Sequence, residues 1–272
     1  MPQESVQKAL PSPTIRTETK KAAASLMRLG FSSSAIFAEI RARQKKINPD
    51  SALIGEVWED ASNKKAYGRR RTYFTNAELD SVMNYPYRTA ILNFMRGFDS
   101  GAKLKETVMS IAENYPPQVV ACNMNLLGTH DTPRILTALV DDFDGSREEK
   151  SKRRLSRNQY ATALERLLMA SFLQFTLPGC PCIYYGDEVG MQGYRDPFSR
   201  EPYRWELLND ENEVLKIYKR FIKIRKSSEC FSLGELKTVY AYGNVYGFLR
   251  EQNDERFIVL VNFGEDFHQN GS

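Results

Sequence analysis

The sequence has 272 residues, of which 42% are hydrophobic, and its 38 basic and 34 acidic side chains give a net charge of +4. This length is enough for one large core and part of a second domain. The charge is too balanced for a nucleic-acid-binding protein, no apolar stretch approaches the roughly 20 residues of a membrane span, and the N-terminus lacks the apolar core of a secretory signal. We therefore predict a cytoplasmic protein that binds neither nucleic acid nor membranes.

The first 34 residues differ in composition from the rest of the chain. They are rich in Ser, Thr, Ala and Lys, contain three prolines by position 13 and have little periodicity, so we predict a poorly ordered segment. From Ala35 the apolar residues Ile36, Phe37 and Ile40 share one face of a predicted helix, which ends at "NPD". A short buried run, "ALIGEVW", follows this helix.

Apolar runs then alternate with helical patterns. The runs are "SVMNY", "VVACNMNLLG" and "CPCIYYGDE", and the helical patterns cover residues 89–98, 102–113, about 158–177 and 211–225. Short apolar runs separated by helices are typical of a parallel sheet with buried faces, so the predicted class is α/β. We predict strands of a smaller antiparallel domain in "KTVYAYG", "VYGFLRE" and "RFIVLVNF". The predicted boundaries are 1–34 for the segment outside the fold, 35–228 for the α/β domain and 229–272 for a truncated β domain.

The cysteine pattern indicates neither a disulfide framework nor a metal site. The cysteines are at positions 122, 180, 182 and 230, and the Cys-x-Cys pair lies in the apolar run "GCPCIYY" without histidines nearby. We predict buried free thiols, which agrees with a reducing cytoplasm.

Polar residues follow three of the apolar runs. Glu56 and Trp58 follow "LIG", the His130–Asp131 pair follows "NLLGT", and the Asp187–Glu188 pair follows "IYYG". Because ligands bind at the C-terminal ends of parallel strands, this placement predicts three acidic clusters on one rim. For His130–Asp131 the alternative is a helix N-terminus with Asp131 as the capping residue and His130 in a loop.

Five segments resemble successive motifs of the alpha-amylase family of glycoside hydrolases, in the family's order. They are "ALIGEVWEDASNK", "MNYPYR", "NLLGTHDTPR", "GCPCIYYGDEVGM" and "YRDPFSREPYRW", and their detail is most similar to neopullulanase, cyclomaltodextrinase and maltogenic amylase. The resemblance implies retaining cleavage of α-glucans such as maltooligosaccharides, pullulan or cyclodextrins. It also implies a (β/α)₈ TIM barrel, of which this chain carries the C-terminal half, strands five to eight, followed by the start of an antiparallel β domain.

The resemblance assigns two catalytic roles by position. Glu56 in "GEVW" matches the general acid/base, a carboxyl group that protonates the glycosidic oxygen and later takes a proton from water. Asp131 in "THDTPR" matches the aspartate that stabilises the distorted sugar. The alternative for Glu56 is an ion-paired residue at the end of a strand.

Four further residues match sugar-binding positions. His130 corresponds to the histidine that hydrogen-bonds sugar hydroxyls, and Asp196 and Arg200 match the Asp-Pro-x-x-Arg pair that holds the neighbouring glucose. A structural salt bridge is the alternative for that pair. Trp58 is either a sugar-stacking platform or a packing residue. Arg134 is predicted to brace the loop that carries the histidine.

The nucleophile motif of the family is absent from this sequence. A retaining glycosidase needs a second carboxylate, here expected in Gly-x-Arg-x-Asp before Glu56, but the first aspartate is Asp50 in the turn "INPD". We therefore predict that the chain alone is inactive. The alternatives are a non-catalytic protein that binds maltooligosaccharides and an inert fragment.

The remaining predictions concern assembly and cofactors. A half-barrel exposes strand edges that can self-associate, although no oligomeric state is predicted. No cofactor or metal is predicted; calcium occurs in the broad family, but no cluster of ligands in the sequence indicates a site.

Overall fold

The computed structural model describes residues 33–66 and 68–264. The chain divides into an N-terminal unit, Met1–Val82, and a C-terminal unit, Met83–Ser272. The segment predicted to be poorly ordered lies outside the described residues except for Ser33 and Ser34. The predicted domain boundaries stay predictions.

The described residues of the N-terminal unit form one helix and two small strand pairs. Helix α1 is Ser33–Ile47, and the strands are β1 (Ile54–Gly55), β2 (Lys65–Ala66), β3 (Arg69–Arg70) and β4 (Ser81–Val82). Strands β1 and β4 pair in parallel, whereas β2 and β3 pair antiparallel. Of the predicted helix face, Ile36 and Ile40 are buried.

Asp80 joins helix α1 to the start of strand β1. Its carboxylate accepts a hydrogen bond from the backbone N–H of Leu53 at 2.8 Å and pairs with Arg41 at 2.8 Å and Lys45 at 3.2 Å. Burial alone would raise the pKa of Asp80, but these donors outweigh it, so the pKa lies below its usual value. The contacts hold β1, and therefore the residue that follows it, in a defined position.

The other helices and strands of the described residues lie in the C-terminal unit. Its helices are α2 (Tyr85–Met95), α3 (Gly101–Asn114), α4 (Pro117–Cys122), α5 (Ile135–Ala138), α6 (Arg147–Lys152), α7 (Arg157–Thr176), α8 (Glu213–Lys226) and α9 (Cys230–Leu233). Its strands are β5 (Met124–Leu126), β6 (Cys180–Cys182), β7 (Glu235–Tyr242), β8 (Val245–Gln252) and β9 (Glu255–Asn262). Short 3₁₀ turns cover Asp187–Val189, Phe198–Arg200 and Trp205–Leu207.

Strands β5 and β6 are parallel, and Leu126 pairs with Cys182 at their C-terminal ends. Met83 forms a further parallel bridge with Met124. The long helix α7 begins at a capping box formed by Ser156 and packs against α8, where the rings of Phe172 and Phe221 lie 5.4 Å apart. Parallel strands separated by helices confirm the α/β prediction.

The run "VVACNMNLLG" is only partly a strand. Val119–Cys122 belong to helix α4, which starts at Pro117 because proline favours the first helical turn, and the strand covers Met124–Leu126. The prediction of one continuous strand is therefore wrong. Helix α2 likewise starts four residues before the predicted 89, because the Asn84 side chain accepts a hydrogen bond from the Tyr87 N–H and caps it.

Strands β7, β8 and β9 form an antiparallel sheet in that order, as predicted. Arg250 is buried beneath it and donates hydrogen bonds to the carbonyls of Thr176, at the end of α7, and Gly234, the latter at 2.8 Å. Burial lowers the pKa of Arg250 to about 10. Arg250 thus ties the sheet to the helical part of the unit.

All four cysteines are free, but the prediction that they are buried is confirmed only for Cys230, and Cys182 is half-buried. Cys122, the last residue of α4, and Cys180, the first of β6, are exposed, whereas Cys230 is buried. The ends of these short elements reach the surface, so an apolar neighbourhood in the sequence did not guarantee burial. Among the described residues, none of the helices is long and apolar enough to cross a bilayer.

Candidate functional site

In the N-terminal unit, Glu56 directly follows strand β1, at its C-terminal end as predicted. Glu56 and Trp58 are exposed, Trp58 by 46%, and Val57 between them is buried. Gly55 leaves room for the Leu79 side chain, because a Cβ at this position would lie 2.4 Å from Cδ1 of Leu79. Because Val57 is buried, the side chains of Glu56 and Trp58 on either side of it face the solvent.

In the C-terminal unit, four of the predicted site residues contact one another. The Arg200 guanidinium bridges two carboxylates, with Nη2 2.8 Å from Oδ1 of Asp131 and Nε 2.9 Å from Oδ1 of Asp196. Nε2 of His130 lies 3.2 Å from Oδ2 of Asp131. The two motifs "THDTPR" and "DPFSR", more than 60 residues apart in the sequence, therefore form one cluster, which we call the Arg200 cluster: His130, Asp131, Asp196 and Arg200.

Backbone contacts hold the two loops of the Arg200 cluster together. Oγ of the buried Ser199 donates to the His130 carbonyl at 2.9 Å, and Nε of Arg200 donates to the same oxygen at 3.1 Å. Within the first loop, the Asp131 N–H donates to Oγ1 of Thr129 at 3.2 Å, and the Thr129 N–H donates to Oγ1 of Thr132 at 2.9 Å. The loop is therefore a hydroxyl-stabilised turn.

The alternative interpretation of His130–Asp131 as a helix N-terminus is wrong. Helix α5 begins at Ile135, its capping position is Arg134, and no side chain caps it. The hydroxyls of Thr129 and Thr132 bind the backbone of the turn instead, which leaves the Asp131 carboxylate directed to Arg200 and His130. The salt bridge considered for Asp196 and Arg200 is present and extends to Asp131.

Beneath this turn, Arg134 is buried and paired with the buried Asp187. Nη1 of Arg134 lies 3.3 Å from Oδ1 of Asp187 and also donates to the Tyr185 carbonyl, and the guanidinium lies 4.6 Å from the ring centres of both Tyr184 and Tyr185. The Arg134 N–H donates to the Gly193 carbonyl at 2.9 Å. These contacts agree with a bracing role for Arg134.

Burial raises the pKa of Asp187 to about 7, although the nearby Arg134 guanidinium opposes the shift. Gly128 makes room for this carboxylate, because a Cβ there would lie 1.9 Å from Oδ2 of Asp187. Asp187 was predicted on the rim with Glu188. That prediction is wrong for Asp187, which is 2% exposed, because its carboxyl group turns inward to the arginine that the preceding loop supplies.

A second cation near this pair escaped the sequence analysis. Nε of Arg88, in the motif "MNYPYR", donates to the Leu127 carbonyl at 2.7 Å. Burial lowers the pKa of Arg88 to about 10, whereas the charge of Asp187 opposes that shift. Arginines in a helix are usually exposed, so only the resemblance of the motif could have singled out Arg88.

The sequence matches the family described as "Alpha amylase, catalytic domain" over residues 6–207. The chain belongs to the alpha-amylase family. It is 35% identical over 215 residues to an amylopullulanase of Thermoanaerobacter thermohydrosulfuricus, which covers 75% of the chain and 13% of that protein. It is 33% identical over 219 residues to a cyclomaltodextrinase of Thermoanaerobacter pseudethanolicus, with 80% of the chain and 33% of the relative covered.

A solved structure agrees with this assignment. The type III pullulan hydrolase from Thermococcus kodakarensis superimposes with a TM-score of 0.69 and 29% identity over 84% of the chain and 36% of that structure. The predicted resemblance to the alpha-amylase family, including its cyclomaltodextrinases, is confirmed. The chain spans no more than about a third of the length of these relatives.

Proposed function

We propose that this chain is the C-terminal half of a (β/α)₈ catalytic barrel, strands five to eight, from an α-glucan hydrolase of the neopullulanase-like group. In this proposal Glu56 is the general acid/base, Asp131 stabilises the distorted sugar, and His130, Asp196 and Arg200 bind α-glucan hydroxyls. Trp58, exposed at the surface of its unit, contributes a stacking surface. Carboxylates and guanidinium groups at strand ends suit hydroxyl recognition because each accepts or donates several hydrogen bonds.

The observation that carries the proposal is the geometry of the Arg200 cluster. Arg200 contacts Asp131 and Asp196 at 2.8 and 2.9 Å, so a residue matched to a catalytic position lies beside the pair matched to a sugar-binding position. Their side chains are 37–56% exposed, which keeps them accessible to a ligand from solvent.

The proposal includes the absence of hydrolysis by this chain alone. The sequence holds no Gly-x-Arg-x-Asp motif before Glu56, and Asp50 lies in the turn that precedes strand β1. Without a carboxylate to attack the anomeric carbon, no glycosyl-enzyme intermediate forms. Removal of one member of a cooperating catalytic set typically costs several orders of magnitude in rate.

Two measurements test the proposal. Titration calorimetry of the full chain with maltotriose is expected to show binding that Arg200→Ala abolishes. Arg256→Ala is the matched control, because Arg256 forms an exposed ion pair with Glu251 on the β sheet. Incubation with pullulan, cyclodextrin and maltotriose is expected to release no reducing sugar.

The outcomes separate the alternatives. Turnover of roughly 1 per second or more, in the ordinary enzymatic range, would refute the inactivity of the chain. Binding without turnover supports a chain that holds maltooligosaccharides without cutting them. The absence of any binding heat identifies an inert fragment and refutes the proposed sugar-binding site.

A further inference from the structure

We propose that Cys122 and Cys180 are a site of reversible oxidation, at which a peroxide converts the two thiols into a disulfide bond. Both thiols are free and exposed. They belong to different elements of the C-terminal unit, because Cys122 is the last residue of helix α4 and Cys180 is the first residue of strand β6. The inference does not depend on the proposed function, in which neither cysteine contacts a sugar.

Backbone contacts place Cys180 directly beside Cys122. Sγ of Cys180 donates to the carbonyl of Ala121 at 3.4 Å, and the Cys180 N–H donates to the carbonyl of Asn123 at 2.6 Å. Cys180 therefore contacts the residues immediately before and after Cys122. Because a trans peptide bond places the Ala121 oxygen about 2.8 Å from the Cα of Cys122, the Cys180 sulfur lies no more than about 6.2 Å from that Cα.

This separation is close to the one that a disulfide bond requires. In a disulfide the two Cα atoms are about 4.4–6.8 Å apart, and each sulfur lies about 4 Å from the Cα of the other cysteine. Rotation of the side chains and a movement of the end of α4 by at most about 2 Å would join the two sulfur atoms. Because Cys122 ends a helix of only six residues, the movement displaces a helix end and leaves the strands in place.

The chain that leads into Cys180 is held against the end of α4 by its neighbours. Gly179 has a φ of +118°, and a Cβ at this position would lie 2.8 Å from the carbonyl oxygen of Asn123. The Arg225 guanidinium, in helix α8, donates to the carbonyls of Gly179 at 2.6 Å and Leu177 at 3.3 Å. These contacts fix the position of the Cys180 backbone before any oxidation, so the pair is already assembled in the reduced chain.

The order of the chemical steps follows from the surroundings of Cys180. Partial burial raises the pKa of the Cys180 thiol and the charge of Cys122 adds to the shift, whereas the Arg225 guanidinium opposes it. Since the thiolate is the form that attacks, we expect Cys122 to react first. Its thiolate takes an oxygen atom from hydrogen peroxide to form a sulfenic acid and releases hydroxide. The Cys180 sulfur then attacks the Cys122 sulfur and the sulfenic oxygen leaves as water, so that in total two thiols and one peroxide give one disulfide and two waters.

Peptide mapping of the oxidised full chain tests the pair. The chain is treated with a small molar excess of hydrogen peroxide, its remaining thiols are alkylated, and it is digested without reduction for tandem mass spectrometry. We expect the number of free thiols to fall from four to two, with one pair of peptides linked through Cys122 and Cys180. Dithiothreitol should restore all four thiols. Cys122→Ser and, separately, Cys180→Ser should abolish the link, whereas Cys182→Ser is the matched control and should retain it, because Cys182 lies on the same strand and is half-buried.

A second measurement uses thermal unfolding. A disulfide between residues 122 and 180 closes a long loop and reduces the entropy of the unfolded chain, so oxidation should raise the melting temperature of the wild type by several degrees. Oxidation should raise it equally in Cys182→Ser and not at all in Cys122→Ser.

The outcomes decide the proposal even if a serine variant does not fold, because the map of the wild type is sufficient. Four thiols that survive the peroxide would overturn it, as would sulfinic acid without linked peptides. A link between Cys180 and Cys182, or between two copies of the chain, would also overturn it. None of these results bears on sugar binding, which the calorimetry with maltotriose tests separately.

Discussion

Replacement of Arg134 by methionine is expected to destabilise the C-terminal unit in a manner that depends on pH. Arg134 is fully buried and pairs with Asp187, which is 2% exposed. Burial raises the pKa of Asp187 to about 7, well above the value of about 3.9 in an unfolded chain. The folded wild type therefore binds a proton more readily than the unfolded chain, and the contribution of Asp187 to stability falls as the pH rises from about 4 to about 7.

The magnitude follows from what the substitution removes at each pH. At pH 6 Asp187 is mostly protonated, so the loss is the hydrogen bond to Tyr185 and the cation–π contacts with Tyr184 and Tyr185, about 2 kcal/mol in total. Above pH 7 the wild-type carboxylate ionises beside its guanidinium partner, whereas the variant lacks that partner. The difference in the free energy of unfolding between the wild type and Arg134→Met should therefore grow by about 1.4 kcal/mol per pH unit. It should reach about 3.5 kcal/mol at pH 8, which is within the range for a broken buried ion pair.

Urea unfolding of the full chain at pH 6 and pH 8 measures both values. Arg153→Met is the matched control, because Arg153 also pairs with an aspartate, Asp141 at 2.9 Å, and lies over an aromatic ring, but is 38% exposed. It should cost clearly less than Arg134→Met at both pH values, because solvent screens an exposed ion pair. Equal costs for the two variants, or a cost of Arg134→Met that does not increase between pH 6 and pH 8, would refute the assigned burial and pairing.

Three further changes test local packing and charge. Gly128→Ala places a methyl group 1.9 Å from the Asp187 carboxylate and should lower the free energy of unfolding by about 1–3 kcal/mol, which urea titration would detect as a lower midpoint. Gly101→Ala meets a backbone carbonyl oxygen at 2.0 Å, which cannot move aside, so the melting temperature should fall by several degrees; an unchanged value would contradict the packing of α3 against the sheet. The lowered pKa of Asp80 stabilises the fold above about pH 4 and is lost as the pH falls through the folded value, so Asp80→Asn should be less stable than wild type at pH 7 and equal to it near pH 2.

Local patterns in the sequence predicted most elements but not all of their limits. The helix predicted at about 158–177 is Arg157–Thr176, and a capping box at Ser156 determines where it begins. "VVACNMNLLG" was misassigned because apolar runs of this length suit a strand or a helix equally. Pro117 starts a helix that includes the first part of this run. The first and last residues of a helix depend on single capping contacts, which the spacing of apolar residues in the sequence does not reveal.

The Arg200 cluster was predictable only through the resemblance to a family. Residues 131 and 200 meet because two loops fold onto each other through the His130 carbonyl, and no spacing rule predicts that contact. The sequence analysis named Arg134 and Asp187 but did not predict their contact, for a related reason. Its partners are 53 positions apart and meet because β5 and β6 run in parallel, in a register that hydrogen bonds between strands determine.

The bridge formed by Arg200 has a consequence for any molecule that approaches Asp131. An incoming hydroxyl must compete with a cation that already occupies the carboxylate, so recognition begins as an exchange of partners. The exchange is cheap, because solvent-exposed ion pairs contribute only about 0.2–1 kcal/mol each. The Arg200 guanidinium therefore holds the two loops together when no ligand is bound. A ligand hydroxyl can displace it from the Asp131 carboxylate at a small cost in free energy. Added salt weakens such ion pairs, so it should favour the binding of an uncharged ligand to Asp131.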